Sequence, residues 1–176
     1  MTEKGFTLIE VLIGLFIAVI ASISVSQVIA STNKVVDAGR KTFIATNLAH
    51  EGQELTRQLR DDTWFADTDR IAWMSQRGLC QDTGTHTYTI DPEIAATENE
   101  PVKDDSEQEL YIHSNGLWTH IENDGTDTGY SRLMEIDCSQ ANAVPAFVTI
   151  TATVSWTGAS GEKNVSIKQL LYNWLP

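Results

Sequence analysis

From Phe6 to Ala30 the chain is apolar but for one ionisable group, the carboxylate of Glu10. About 25 residues of helix rise ~37 Å, enough to cross the ~30 Å hydrocarbon core of a bilayer. A segment of this kind must lie in lipid or in a protein core. The charge is therefore left to the rest of the chain, which at 176 residues has room for one folded domain beside the apolar run. The formal net charge of −12 disfavours nucleic acid and anionic headgroups as partners.

A secretory signal peptide has a basic leader, a shorter apolar run and a small-x-small cleavage site. Here a short polar leader, Met1 to Lys4, is followed by Gly5 and at once by the apolar run. The small residues of "ASISVSQVIAS" keep cleavage near Ala30 as an alternative. The order Gly5-Phe6-Thr7-Leu8-Ile9-Glu10, running directly into Val11 to Ala21, resembles the class III leader of the type IV pilin superfamily. The resemblance implies that prepilin peptidase, a membrane aspartyl peptidase, cuts between Gly5 and Phe6 and that Phe6 is then N-methylated. A glycine before the scissile bond lets the backbone enter a protease site without a Cβ in the way. It further implies that Glu10 pairs with the new α-amine of Phe6, in its own subunit or a neighbour. A buried positive terminus at the positive end of a helix dipole requires such a partner.

Beyond Ser31 the pattern becomes one-sided. Ile44, Leu48, Leu55 and Leu59 recur at helical spacing with Glu51 and Gly52 on the same stripe, while Lys41, Gln53, Glu54 and Arg57 supply polar faces. One helix is predicted from Phe6 to about Arg60, with Gly39 and Gly52 as weak points where a bend is expected. "ATNLAHEGQELTRQLRDDTW" is similar to the segment after the membrane helix of minor pilins of the pilus-modification type. The match falls at Leu48, Ala49, Glu51, Gly52, Glu54, Arg57, Arg60 and Asp61. Gly52 is expected to admit a close neighbour and Glu51 to cap or bridge to the domain. Major pilins usually carry a proline within the apolar run, and none occurs from Phe6 to Ser31, which favours a minor pilin or a pseudopilin.

After Trp64 the sequence reads as a head. "IAWMSQRGLCQDTG" is a loop with a helical turn, anchored by Trp73 and Cys80; "THTYTI" is a short strand; "DPEIAATENEPVKDDSEQE" is a solvated acidic loop. Glu98 to Glu109 holds six acids and one lysine, yet lacks the spaced ligands and turn glycine of a calcium loop. "LYIHSNGLWTHIE" reads as a hairpin on a type I′ Asn115-Gly116 turn, followed by a strand over Ser131 to Cys138. A closing hairpin is built from "AFVTITATVSW" and "NVSIKQLLYNW", with Thr157 to Lys163 as its turn. The fold class is α+β and pilin-like: a long N-terminal helix, transmembrane in its first half, packed on an antiparallel β-sheet of about four strands. The expected segments are leader 1–5, filament-core helix 6–30, amphipathic helix 31–62 and head 63–176.

Cys80 and Cys138 are too far apart for a C-x-x-C motif and too few for a zinc cage. Outside the cytoplasm they read as a disulfide, and otherwise as two buried thiols. No G-x-S-x-G, H-E-x-x-H or phosphate loop is present, so no catalytic residue, metal or cofactor is assigned. His113 and His120 flank the hairpin and are read as exposed strand residues; the five tryptophans are read as core anchors, with a surface contact at Trp118 as the alternative.

The reading is a minor pilin, not an enzyme, that primes assembly or modifies the filament. Its implied partners are prepilin peptidase, other major and minor pilin subunits and the inner-membrane assembly platform. It is a single-pass protein of the bacterial inner membrane before assembly, with its C-terminal domain outside the cytoplasm. Its destination is a surface pilus or a periplasmic pseudopilus. The alternatives are a type II secretion pseudopilin and, from another class, a signal-anchored periplasmic binding protein or enzyme.

Overall fold

A computed structural model describes residues 5, 7–66, 79–80, 82–92, 102–103, 108–122, 125–141, 146–159 and 161–172. The chain forms two compact units, Met1–Lys41 and Thr42–Pro176. A single helix, α1 (Leu8–Ala66), contributes to both and continues through Gly39 and Gly52.

From Leu8 to Ala30 α1 is apolar but for Glu10, and its large apolar side chains, among them Ile9, Phe16, Ile20 and Ile29, are at least half exposed. The helix is long and apolar enough to cross a membrane, with a mean hydropathy of 2.6 in its best window. Its hydroxyls are turned back on the helix. Ser22, Ser24, Ser26 and Thr32 each donate to the carbonyl four residues earlier, at 2.8–3.0 Å, and Ser31 donates to Val28 O. Such back-bonding satisfies donors that would otherwise stand bare in hydrocarbon.

In the second unit Ala45, Leu48, Ala49, Gly52, Gln53, Thr56 and Leu59 form the buried stripe of α1. Ile44 and Leu55 flank it, half-buried. Small residues at 45, 49 and 52 let the sheet come close to the helix. Gln53, read from sequence as solvated, is buried, and its Nε2 donates to Ile167 O at 2.9 Å.

The sheet contains β1 (Thr85–Ile90), β2 (Val102–Lys103), β3 (Glu109–His113), β4 (Trp118–Thr119), β5 (Gly125–Asp137), β6 (Phe147–Gly158) and β7 (Gly161–Tyr172), all antiparallel. The long strand β5 is central, pairing with β1, β3 and β6, and β7 adds to β6. The sheet is thus larger than the four strands expected. Strand β2, two residues long, lies inside the stretch read as solvated loop, and β4, the second arm of the expected hairpin, is also only two residues. Strand β5 starts at Gly125 rather than Ser131 because its first half pairs with β3. Register shifts between Leu110 and Tyr111, and positive-φ Gly129 takes up the resulting bulge.

Two turns also differ from expectation. In the β3–β4 hairpin only Gly116 has positive φ; Gly116 N donates to His113 O and His113 N to Leu117 O, both at 2.9 Å. This is a type I turn closed by a glycine bulge rather than a type I′ turn. The β6–β7 connection is tighter than the Thr157 to Lys163 turn expected, because pairing continues to Gly158 opposite Gly161.

Strand β6, the first arm of the expected closing hairpin, alternates: Val148, Ile150, Ala152, Val154 and Trp156 are buried, and the residues between them are half-buried. Each fully buried aliphatic contributes about 1.5–3 kcal/mol. Cys80 and Cys138 are joined by a disulfide with Cα atoms 5.9 Å apart, which removes the alternative of two free thiols. Residues 67–78, 93–101 and 104–107, including Trp73 and most of the acidic run, lie outside the described residues.

Candidate functional site

The residues expected to govern processing and assembly stand at the start of α1. Thr7 is the N-cap: its carbonyl accepts from Glu10 N at 3.1 Å and from Val11 N at 3.3 Å. Glu10 is the acidic residue of the first turn, three positions after Thr7, where a carboxylate favours the positive helix end. Gly5 is exposed, and a Cβ built on it would meet nothing within 4 Å. Phe6 lies outside the described residues.

A second constellation fastens α1 to the sheet within the head. Arg132 of β5 is wholly buried. Its Nη2 donates to Ile90 O at 2.7 Å, and its Nη1 donates to Leu48 O at 3.2 Å and to Glu51 Oε1 at 3.4 Å. Burial pulls its affinity for a proton down, opposed by Glu51 and Asp91. One side chain thus ties α1 to β1 and β5. Beside it, a Cβ built on Gly52 would stand 2.7 Å from Met134 Sδ and 3.2 Å from Arg132 Cδ, so even a methyl group there would force these side chains to shift. The expected roles of Glu51 as a bridge and Gly52 as a place of close approach are both realised here. Nearby, Tyr88 OH and Thr56 Oγ1 share a buried hydrogen bond of 3.0 Å. Burial raises the Tyr88 phenol well above its usual range.

Asp91, directly after β1, extends this buried polar spine. Its carboxylate accepts from His120 Nδ1 at 2.6 Å, from His120 N at 3.0 and 3.1 Å, and from Thr119 Oγ1 at 3.2 Å. Burial alone would raise the Asp91 carboxyl; the His120 hydrogen bonds and charge, with Arg132, outweigh it and hold the carboxyl below its usual value. His120 is therefore not the exposed strand residue the sequence suggested, being 3% exposed. His113 is half-buried at the end of β3, opposite Gly125, and is not joined to His120. Among the described residues no cluster of three or more His, Cys, Asp or Glu is arranged to hold a metal. Trp118 is half-buried, packed edge-on to Tyr130 at 6.0 Å, and belongs to an aromatic row with Trp156. The acidic side chains around Tyr111 push its phenol up to about 12, chiefly through the 2.8 Å hydrogen bond to Glu109.

Against known protein families, residues 1–26 match the model of the prokaryotic N-terminal methylation motif. That motif is the hallmark of type IV pilin and pseudopilin precursors. The chain thus carries at its N-terminus the motif that heads such precursors. No curated protein and no solved structure matches the chain. The pilin motif covers Gly5, Phe6 and Glu10, and the α+β head with its long helix has the pilin-like arrangement. The motif implies processing by prepilin peptidase and assembly with other pilin subunits.

Arg132 and Asp91 were not singled out from the sequence, although a signal for one was there. Arg132, Met134 and Ile136 stand in alternation on the buried face of β5, so an arginine occupied a core-facing strand position. Nothing local marks Asp91, whose partners Thr119 and His120 are separated from it by 28 and 29 residues.

Proposed function

We propose that this chain is a minor type IV pilin, a structural subunit without catalytic activity. It is cut between Gly5 and Phe6, methylated at Phe6, and assembled through α1 so as to prime the filament or modify it. The observation that carries the reading is the methylation motif running straight into a proline-free apolar helix. In support, Glu10 stands in the first helical turn, four residues along the chain from the terminus that cleavage would create. Before assembly a Glu10 so near the helix start lies at the interface, where its charge is tolerated.

A pseudopilin of a type II secretion system is the second reading, since the same motif heads both kinds of precursor. Fractionation separates the two. A minor pilin is recovered in filaments sheared from the cell surface, whereas a pseudopilin stays in the periplasm. Within either machine, Glu10→Val is expected to insert in the membrane and be processed but to enter filaments poorly. Wild-type incorporation of that variant would remove the proposed pairing of Glu10 with the Phe6 amine.

A further inference from the structure

Strand β7 pairs with β6 alone among the described residues, without a register shift over its twelve residues. It is a long edge, and Glu162, Lys163, Asn164, Ser166, Lys168 and Leu170 along it are exposed. Lysines are one way of blunting such an edge; bulges and prolines are others, and β7 contains neither. Within it stands Asn164-Val165-Ser166, an Asn-x-Ser acceptor with no proline between. Of the chain's asparagines (33, 47, 99, 115, 123, 142, 164 and 173), Asn164 alone has Ser or Thr two residues on. Asn164 lies opposite Ser155 near the β6–β7 turn, and Ser166 Oγ shares a 2.9 Å hydrogen bond with Thr153 across the same face.

We propose that Asn164 is an N-glycosylation site, resting on the reading that the head lies outside the cytoplasm. The donor is a polyprenyl-pyrophosphate-linked oligosaccharide. Asn164 Nδ2 forms a bond to the anomeric carbon, the carbon–oxygen bond to pyrophosphate breaks, and the leaving group takes the electron pair. The displaced amide proton goes to a base of the transferring enzyme. The product carries a bulky polar group on the open strand, where it impedes edge-to-edge pairing.

The test is peptide mass spectrometry of the full chain purified from its own cell envelope. Trypsin cuts after Lys163 and Lys168, releasing Asn164–Lys168 as one peptide. That peptide is expected to carry a glycan in the wild type and in S166T, and none in N164Q or S166A. A Phe6-initiated chain with an unmodified Asn164 overturns this inference and leaves the pilin reading standing. A glycan on a chain that keeps Met1 to Gly5 does the reverse, and an addition that persists in N164Q overturns the assignment to Asn164.

Discussion

The two units of this chain are stabilised in opposite ways. In Met1–Lys41 the large apolar side chains face outward and the helix's own carbonyls take up its hydroxyls, so lipid or other subunits must provide the burial. In Thr42–Pro176 the same helix presents one stripe, and the sheet covers it with a packed core threaded by a buried polar spine. A unit of the first kind tolerates changes of shape that preserve hydrophobicity. One of the second kind does not, because packed interiors and paired buried charges leave little room to adjust.

That contrast can be broken at graded cost. Opening the Cys80–Cys138 bridge should have the largest effect. It closes a separation of 58 residues, worth about 4 kcal/mol in the chain-entropy model. Thermal unfolding with and without a thiol reductant checks it, and an unchanged midpoint would contradict a structural role. Next is Arg132→Met, which leaves Glu51 and Asp91 without their buried cation and is expected to destabilise the head by roughly 3 kcal/mol. Urea unfolding of that variant beside Glu51→Gln separates the loss of the guanidinium from the loss of one partner.

The smallest effects give the sharpest comparison between the units. Gly52→Ala sets a methyl group against Met134 and is expected to cost about 1–2 kcal/mol even after the helix-propensity gain. Gly39→Ala meets nothing within 4 Å and should instead stabilise the helix by up to about 1 kcal/mol. Equal effects at the two glycines would erase the distinction.

Acid should act on the second unit through Asp91. Its carboxyl is held below the usual value in the folded head, so its contribution is present above the unfolded value near 3.9 and is lost as pH falls through the lower folded value. Stability followed from pH 6 downward should therefore fall below about pH 4, and less steeply in Asp91→Asn.

The first unit was almost fully legible in the sequence, because a leader, a spanning apolar run and one carboxylate are local signals. Strand β6 was legible too, since its alternation survives without knowledge of its neighbours. Strand β4 was legible as the second arm of the β3 hairpin, because the turn between them is a local signal. Strand β2 was not: two residues long, it exists only through pairing with β1, a tertiary choice that propensity does not carry. The same holds for Asp91 and His120, whose burial follows from contacts between segments far apart in sequence. Gly52 was readable as a point of close approach, but Met134 as the neighbour that fills it was not.

The central claim, that this chain is made as a pilin-type precursor, is tested most directly by the intact mass of the mature protein from cells with active prepilin peptidase. The mature chain is expected to begin at Phe6 and to carry one added methyl group on its amino terminus. A mature chain that keeps Met1 to Gly5 would contradict it.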